Sequence, residues 1–122
     1  MKLWDSFNSM VKALVKPGVE IANTLMPTDA DLWHGATGVA TEAGELLDAV
    51  KKLVIYRRDL DIANVIEELG DLEFYMEQVR QNLSISRSET LDSCMRKHER
   101  RYASGTYSDN QAQARADKEP RG

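Results

Sequence analysis

Apolar residues recur every three or four positions through most of the chain, and no stretch shows the strict alternation of a half-buried strand. This spacing predicts two long helices, one from about Asp31 to Tyr56 and one from about Ile62 to Leu83. The charged turn between them, residues 57–61, is short enough to make the two helices an antiparallel pair. We therefore expect an all-α fold, an antiparallel helical bundle built around these two helices. Their apolar stripes are Leu32, Ala36, Val39, Ala43, Leu46, Val50 and Val54 on the first, the expected core helix, and Ile62, Val65, Leu69, Leu72, Met76 and Val79 on the second.

Shorter helices are predicted on both sides of this pair, because capping or helix-breaking residues bound each of them. After Gly105 the sequence turns polar and small, which is typical of a tail or arm outside the core. We expect an all-α domain over residues 1–105 and a polar C-terminal tail over 106–122. The predicted short helices are Leu3 to Val15, ending at Pro17-Gly18; Val19 to Met26, ending at Pro27; and a helix to Tyr102 that begins with a capping box of Ser86 and Glu89. Thr28 or Asp29 is expected to cap the first long helix.

Composition and charge restrict the function classes. The 122 residues fit one domain, and a net charge of −4 argues against a chain that coats nucleic acid. A single cysteine and two histidines exclude an internal disulfide and a multi-cysteine zinc site. No segment resembles a transmembrane helix or a signal peptide, so a cytoplasmic protein is expected. The charge is divided unevenly, with +1 over residues 1–28, −8 over 29–77 and +3 over 78–122, which suits a cation site followed by an anion site or, alternatively, two solvated faces.

A repeated acidic motif lies on the two long helices. Glu42-Ala43-Gly44-Glu45-Leu46 recurs as Glu68-Leu69-Gly70-Asp71-Leu72. The i, i+3 spacing puts each acidic pair on one side of its helix, and an antiparallel arrangement can bring the pairs together. Four facing carboxylates need a cation, and oxygen ligands without histidine favour Mg²⁺, Mn²⁺ or Ca²⁺. The alternative is a set of ordinary exposed acids, but a glycine in both copies suggests a close approach of a helix or a ligand.

This pattern resembles the ExxE…ExxD signature of the MazG-like, all-α nucleoside triphosphate pyrophosphohydrolases. The resemblance runs from about Leu32 to Lys118 and implies that Mg²⁺ is held by the four acids while a nucleoside triphosphate is cleaved to the monophosphate and pyrophosphate. It departs from the family at Arg57, Gln78 and Ala103 and in the length of residues 104–108. The matching positions include His34, the run from Glu42 to Lys52, Tyr56, Glu67 to Leu72, Lys97, Arg101, Tyr102, Gly105, Arg115 and Asp117.

Further residues are candidates for substrate contacts, since a triphosphate needs cations besides the metal. Water attack on the α-phosphorus is expected, with Glu42 or Glu45 acting on the water. An aromatic ring could stack on the base, although a tryptophan at helical spacing is more often a core residue. The substrate-binding candidates are Lys51, Lys52, Lys97, Arg101, Tyr102, Arg115, His34 and Trp33; the basic ones have ordinary solvated side chains as their alternative.

The sequence is compatible with two other functions. A non-catalytic helical interaction or regulatory module would explain the acidic face without the repeated glycines. A dimeric dUTPase-like enzyme would share the chemistry but is usually longer. The wide apolar stripes predict assembly into a homo-dimer or homo-tetramer. The expected partners are thus a nucleoside triphosphate and further copies of the chain, with neither membrane nor nucleic acid.

Overall fold

The computed structural model describes residues 2–118, and within this range the chain forms helices joined by turns and has no strand. The all-α prediction is confirmed. No helix in this range is both long enough and apolar enough to cross a membrane. The elements are α1 (Phe7–Leu14), α2 (Gly18–Thr24), α3 (Pro27–Val54), α4 (Ile62–Asn82), α5 (Arg87–Arg101), α6 (Asp109–Ala114) and a short 3-10 helix (Ala116–Lys118).

The antiparallel pair of long helices is present as α3 and α4. Its turn is made possible by Arg57, whose φ of 56° lies in the left-handed region. Two buried glycines of α3 let the helices approach. A Cβ on Gly35 would lie 2.9 Å from Cγ2 of Val79, and one on Gly38 would overlap the ring of Tyr75. The close approach therefore occurs in the N-terminal half of α3.

Gly44 and Gly70, the glycines of the repeated motif, were expected to allow a close approach. A Cβ built on either of them meets nothing within 4 Å. The prediction of a close helix approach at these two positions is therefore wrong for the chain by itself. Successive helix positions rotate by about 100°, so each glycine lies on the side of its helix away from the acid pair that faces the other helix.

The residues of the apolar stripes are half-buried or exposed rather than buried, although Val79 contacts α3 at Gly35. α3, the expected core helix, contributes the buried residues Gly35, Gly38 and Ala49. Among the described residues, Ala49 is the one buried hydrophobic residue. Both stripes lie on the same side of the pair, where Val39, Met76 and Val79 line a groove of about 520 Å³ that Leu91 of α5 also borders. Further along the two helices, apolar side chains are exposed at Leu47, Val50, Val54, Ile62 and Leu69.

The helix ends agree with the predicted boundaries to within a few residues, with one difference in capping. Ser86 and Glu89 form the predicted capping box of α5, in which each side chain accepts from the other residue's backbone N–H at 3.1 and 2.8 Å. α3 instead begins at Pro27, which needs no N–H partner in the first turn. Asp29 still contributes, since its carboxylate accepts from the N–H of Met26 at 2.9 Å.

The segment after Gly105 folds back onto α5. Gly105 has a φ of +83°, which favours glycine, and it separates α5 from α6. Ser108 caps α6, and the following 3-10 helix packs on α5. Of the predicted tail, residues 106–118 are thus an ordered segment; the rest of it, residues 119–122, lies outside the described range.

Candidate metal site

The four acids of the repeated motif come together at the interface of α3 and α4. One oxygen from each of Glu42, Glu68 and Asp71 lies within 4.8 Å of the other two. Glu45 borders the same group closely enough to affect the ionisation of Glu68. The antiparallel pairing puts Glu42 of α3 beside both acids of the second motif, Glu68 and Asp71.

The burial of these acids is uneven. Glu68 is 7% exposed, Glu42 is half-buried, and Glu45 and Asp71 are exposed. One oxygen each of Glu42 and Glu68, Oε2 in both cases, is buried and has no hydrogen-bond partner among residues 2–118. A buried polar atom without a partner costs free energy, so two of them in one group of acids point to a ligand of this site.

The ionisation of Glu68 reflects these neighbours. The neighbouring carboxyl group of Glu42 is the largest cause that raises the pKa of Glu68 from 4.5 to about 7, followed by burial and by the nearby Glu45. Like charges held together disfavour the ionised form, which a divalent cation would favour. The donor set consists of hard carboxylate oxygens and fits Mg²⁺ or Mn²⁺ better than softer metals.

The aromatic candidates lie on α3, about 12 Å along the helix from the acids. His34 is within 3.4 Å of the amide nitrogen of Gln78 and meets the ring of Tyr75 edge-on. Trp33, its neighbour, is exposed. This geometry leaves the indole ring open to a ligand.

The lysine candidates on α3 are free of strong partners. Nζ of Lys51 lies 5.6 Å from the ring centre of Tyr56. Lys52 pairs with Asp48 at 3.0 Å, and both side chains are about half exposed. Exposed pairs of this kind contribute little to stability, so an anion could displace them.

The candidates on α5 and beyond form a second group. Arg101 donates to Asp117 through Nε at 2.7 Å and Nη2 at 3.0 Å, so much of its hydrogen-bonding capacity is used within the chain. Tyr102 stacks on His98 and lies beside Tyr107. Lys97 is half-buried, and Arg115 has a left-handed φ of 53° at the end of α6.

Sequence reasoning did not assign a role to Asp117. Its side chain is fully buried, and the guanidinium of Arg101 lowers the pKa of its carboxyl group to about 2. Arg101 and Asp117 both belong to the positions that carry the family resemblance, and this shared membership is the one feature of the sequence that connects them. Gly35 and Gly38 were missed as well, since a glycine in a helix does not reveal which side the partner helix occupies.

Comparison with known proteins supports the same family as the acidic motif. A family model described as the MazG nucleotide pyrophosphohydrolase domain matches residues 36–105, more than half of the chain, including all four acids. No curated protein and no solved structure gives a significant match. The chain belongs to the MazG nucleotide pyrophosphohydrolase domain family.

Proposed function

We propose that this chain is a Mg²⁺-dependent pyrophosphohydrolase that converts a nucleoside triphosphate to the monophosphate and pyrophosphate, with Mn²⁺ able to substitute. The observation that carries the proposal is that one buried oxygen of Glu42 and one of Glu68 have no hydrogen-bond partner among residues 2–118, within a group of three acids whose oxygens converge. The family match over residues 36–105 supports the substrate class.

The acids are suited to hold a cation and a phosphate together. Glu42, Glu68 and Asp71 would bind the ion, because their oxygens already lie within 4.8 Å of one another. When bound, a divalent cation polarises phosphate oxygens and offsets the charge of the departing pyrophosphate. Glu42 and Glu68 supply the buried side of the site, and Asp71 lies at its exposed side, where a phosphate can approach.

Glu45 is the residue we propose to orient the attacking water and accept its proton. It borders the cluster but lies outside the group of three converging oxygens, and it is exposed. A general base must reach a water beside the α-phosphorus, which an exposed carboxylate at the rim can do. Glu42, the other candidate for this role, has a buried oxygen without a hydrogen-bond partner among the described residues and suits cation binding better.

The remaining substrate contacts are proposed from charge and exposure. Lys51 and Lys52 follow the acids on α3 and would bind the β- and γ-phosphates once Asp48 is displaced. Trp33 and His34 would contact the base. Lys97, Arg101, Tyr102 and Arg115 form a second set of proposed contacts around α5.

The test is a panel of canonical and modified nucleoside triphosphates, assayed for pyrophosphate with Mg²⁺ present and with EDTA. Hydrolysis in ¹⁸O-labelled water distinguishes the bond that is attacked: label in the monophosphate supports attack on the α-phosphorus, whereas label in pyrophosphate contradicts it. No turnover on any substrate would favour the helical interaction module.

A second experiment separates the roles of the acids. Glu45→Gln is expected to bind Mn²⁺ nearly as well as the unaltered chain while losing turnover by about 100-fold, since general-base catalysis contributes roughly 10²–10⁴-fold. Free Mn²⁺ measured by electron paramagnetic resonance gives the binding constant. Equal losses of Mn²⁺ affinity and turnover would make Glu45 a metal ligand instead.

A further inference from the structure

Arg101 and Asp117 form an ion pair that uses one edge of the arginine side chain. Nε of Arg101 donates to Oδ1 of Asp117 at 2.7 Å, and Nη2 donates to Oδ2 at 3.0 Å. A guanidinium group has five N–H donors in a planar fork, and these two bonds use two of them. Nη1 and the second hydrogen of Nη2 form the other edge. Arg101 therefore keeps a second pair of donors whose geometry matches a phosphate or a carboxylate.

The pair is closed to solvent on one side and open on the other. The side chain of Asp117 is fully buried, whereas 16% of the Arg101 side chain is exposed. A ligand thus has access to the arginine but not to the carboxylate. Residues 96–101 carry four basic side chains against one acidic one, so the surroundings attract an anion.

The backbone of the C-terminal segment determines where Asp117 lies. Arg115 ends α6 with a left-handed φ of 53°, and its carbonyl accepts from the N–H of Lys118 at 2.8 Å. This bond closes the 3-10 helix that carries Asp117, and that helix packs on α5. Ser104 also donates to the side chain of Gln111 at 3.2 Å. Several bonds besides the ion pair therefore hold the segment against α5.

Stability alone is a weak reason for an ion pair that is closed to water. Removing a carboxylate and a guanidinium from water costs free energy that their attraction repays only in part, and apolar side chains often stabilise as well. The two parallel bonds do, however, fix the plane and the direction of the guanidinium group of Arg101. A long side chain that is already held in place loses less conformational entropy when it binds an anion. The pair therefore preorganises the free edge of Arg101.

We propose that Asp117 is a positioning residue that orients Arg101, so that the free edge of the guanidinium group binds a phosphate of the nucleoside triphosphate. The identity of this anion rests on the proposed function, in which Arg101 is one of the contacts around α5. Asp117 acts through Arg101 and does not touch the substrate. The inference gives residues 106–118, which lie outside the match to the family model, a role in substrate binding.

Pyrophosphate, the product of the proposed reaction, is the probe, and isothermal titration calorimetry of the full chain with Mg²⁺ measures its affinity. Asp117→Asn keeps the size of the side chain but removes its charge and one of its two acceptors. Pyrophosphate binding is expected to weaken at least about tenfold, since Arg101 is no longer held in one orientation. Asp92→Asn changes an exposed acid of α5 and is the matched control, with an affinity expected within about twofold of the unaltered chain.

Arg101→Lys separates the orientation of the guanidinium group from the attachment of the segment. A lysine can still pair with Asp117 but has no second edge. Amide exchange of residues 109–118 is therefore expected to stay within about threefold of the unaltered chain, while pyrophosphate binding weakens at least about tenfold. Combining Arg101→Lys with Asp117→Asn is expected to add less than about threefold, because both changes act on the same group.

Several outcomes would overturn the inference. One is an unaltered chain that does not bind pyrophosphate, and another is unchanged binding in Asp117→Asn. Tighter binding in Asp117→Asn would show that the carboxylate competes with the anion for Arg101. Normal binding in Arg101→Lys together with weak binding in Asp117→Asn would show that only the attachment of the segment matters. Losses that multiply in the double variant would mean that the two residues act independently.

Turnover measurements distinguish this inference from the proposed function. In an active chain, Asp117→Asn is expected to raise the KM for the triphosphate at least about tenfold and to change kcat less than about threefold. Its Mn²⁺ affinity is expected to stay unchanged, because the acidic cluster is intact. An active chain in which Asp117→Asn has a normal KM would contradict the positioning role alone. An inactive chain that shows the expected losses of pyrophosphate binding would contradict the proposed reaction and leave the anion site standing.

Discussion

Glu68 and Asp117 are the two buried charged residues of the described chain, and their surroundings are opposite. Asp117 accepts two hydrogen bonds from Arg101, at 2.7 and 3.0 Å, and the pKa of its carboxyl group falls to about 2. Glu68 faces Glu42 and Glu45, has an oxygen without a donor, and has its pKa raised to about 7. Both carboxyl groups are thus buried, but Asp117 has a positively charged partner whereas Glu68 has acidic neighbours.

This difference separates a structural role from a ligand-binding one. The carboxylate of Asp117 is already neutralised within the chain, so it fastens the C-terminal segment to α5 and has little left to offer a ligand. Ionising Glu68 beside the other acids costs free energy in the chain without a ligand, and a bound cation would remove that cost. A buried acid is a candidate for ligand binding when its neighbours supply neither a hydrogen-bond donor nor a positive charge.

The largest expected effect comes from removing the charge of Glu68. Glu68→Gln keeps the side-chain shape but loses a metal ligand, so turnover is expected to fall by at least about 100-fold and Mn²⁺ affinity by roughly 10–100-fold. The same variant is expected to melt at a higher temperature without cation, because repulsion from Glu42 is relieved. Pyrophosphate release, Mn²⁺ binding and thermal melts measure the three effects.

Glu67→Gln provides the matched control, since Glu67 is the exposed neighbour on the same helix. Its turnover is expected to stay within about twofold of the unaltered chain. Comparable losses in both variants would mean that general negative charge, rather than the buried carboxylate, is what the activity needs.

The next largest effect comes from breaking the satisfied pair. Arg101→Ala leaves the carboxylate of Asp117 buried without its donor, and amide hydrogens of residues 109–118 are expected to exchange at least about tenfold faster. Arg100→Ala removes an adjacent, exposed arginine and is the control. Accelerated exchange in α3 and α4 as well would contradict a local role for the pair.

The two acids also predict opposite pH dependences of stability in the absence of divalent cation. The pKa of Glu68 lies above its ordinary 4.5 in the folded chain, so its stabilisation is complete below pH 4.5 and is lost as pH rises through about 7. The pKa of Asp117 lies below its ordinary 3.8, so its stabilisation is present above pH 3.8 and is lost as pH falls toward about 2.

Thermal melts in EDTA between pH 3 and 8 should therefore show highest stability near pH 4 to 5, with changes of a few degrees, about 4–8 °C per kcal/mol, on either side. Glu68→Gln should flatten the decline at higher pH, and Asp117→Asn the decline at lower pH. A decline at higher pH that persists in Glu68→Gln would assign it to other groups.

The same contrast marks what the sequence can predict. The pairing of α3 with α4 and the convergence of Glu42 with Glu68 and Asp71 follow from helical periodicity and a short turn, which are local. The bond from Arg101 to Asp117 spans a left-handed glycine and two short helical segments, so it depends on a fold-back that no periodicity encodes. The sequence also did not predict which side of each helix faces the other helix. The close approach of Tyr75 at Gly38 puts the acids of α3, rather than the middle of its apolar stripe, toward α4.

The smallest expected effect tests whether the motif glycines belong to the acidic cluster or only lie beside it. Gly44→Ala adds a Cβ into open space, so it is expected to stabilise the chain by about 1 kcal/mol through the higher helix propensity of alanine. Turnover is expected to stay unchanged, since Gly44 lies on the side of α3 away from the acids. Gly38→Ala is the contrasting variant and is expected to destabilise by about 1–3 kcal/mol, because its Cβ would overlap Tyr75. Urea denaturation and pyrophosphate release measure both quantities, and a Gly44→Ala chain that is more stable but inactive would show that substrate or a second chain approaches at this glycine.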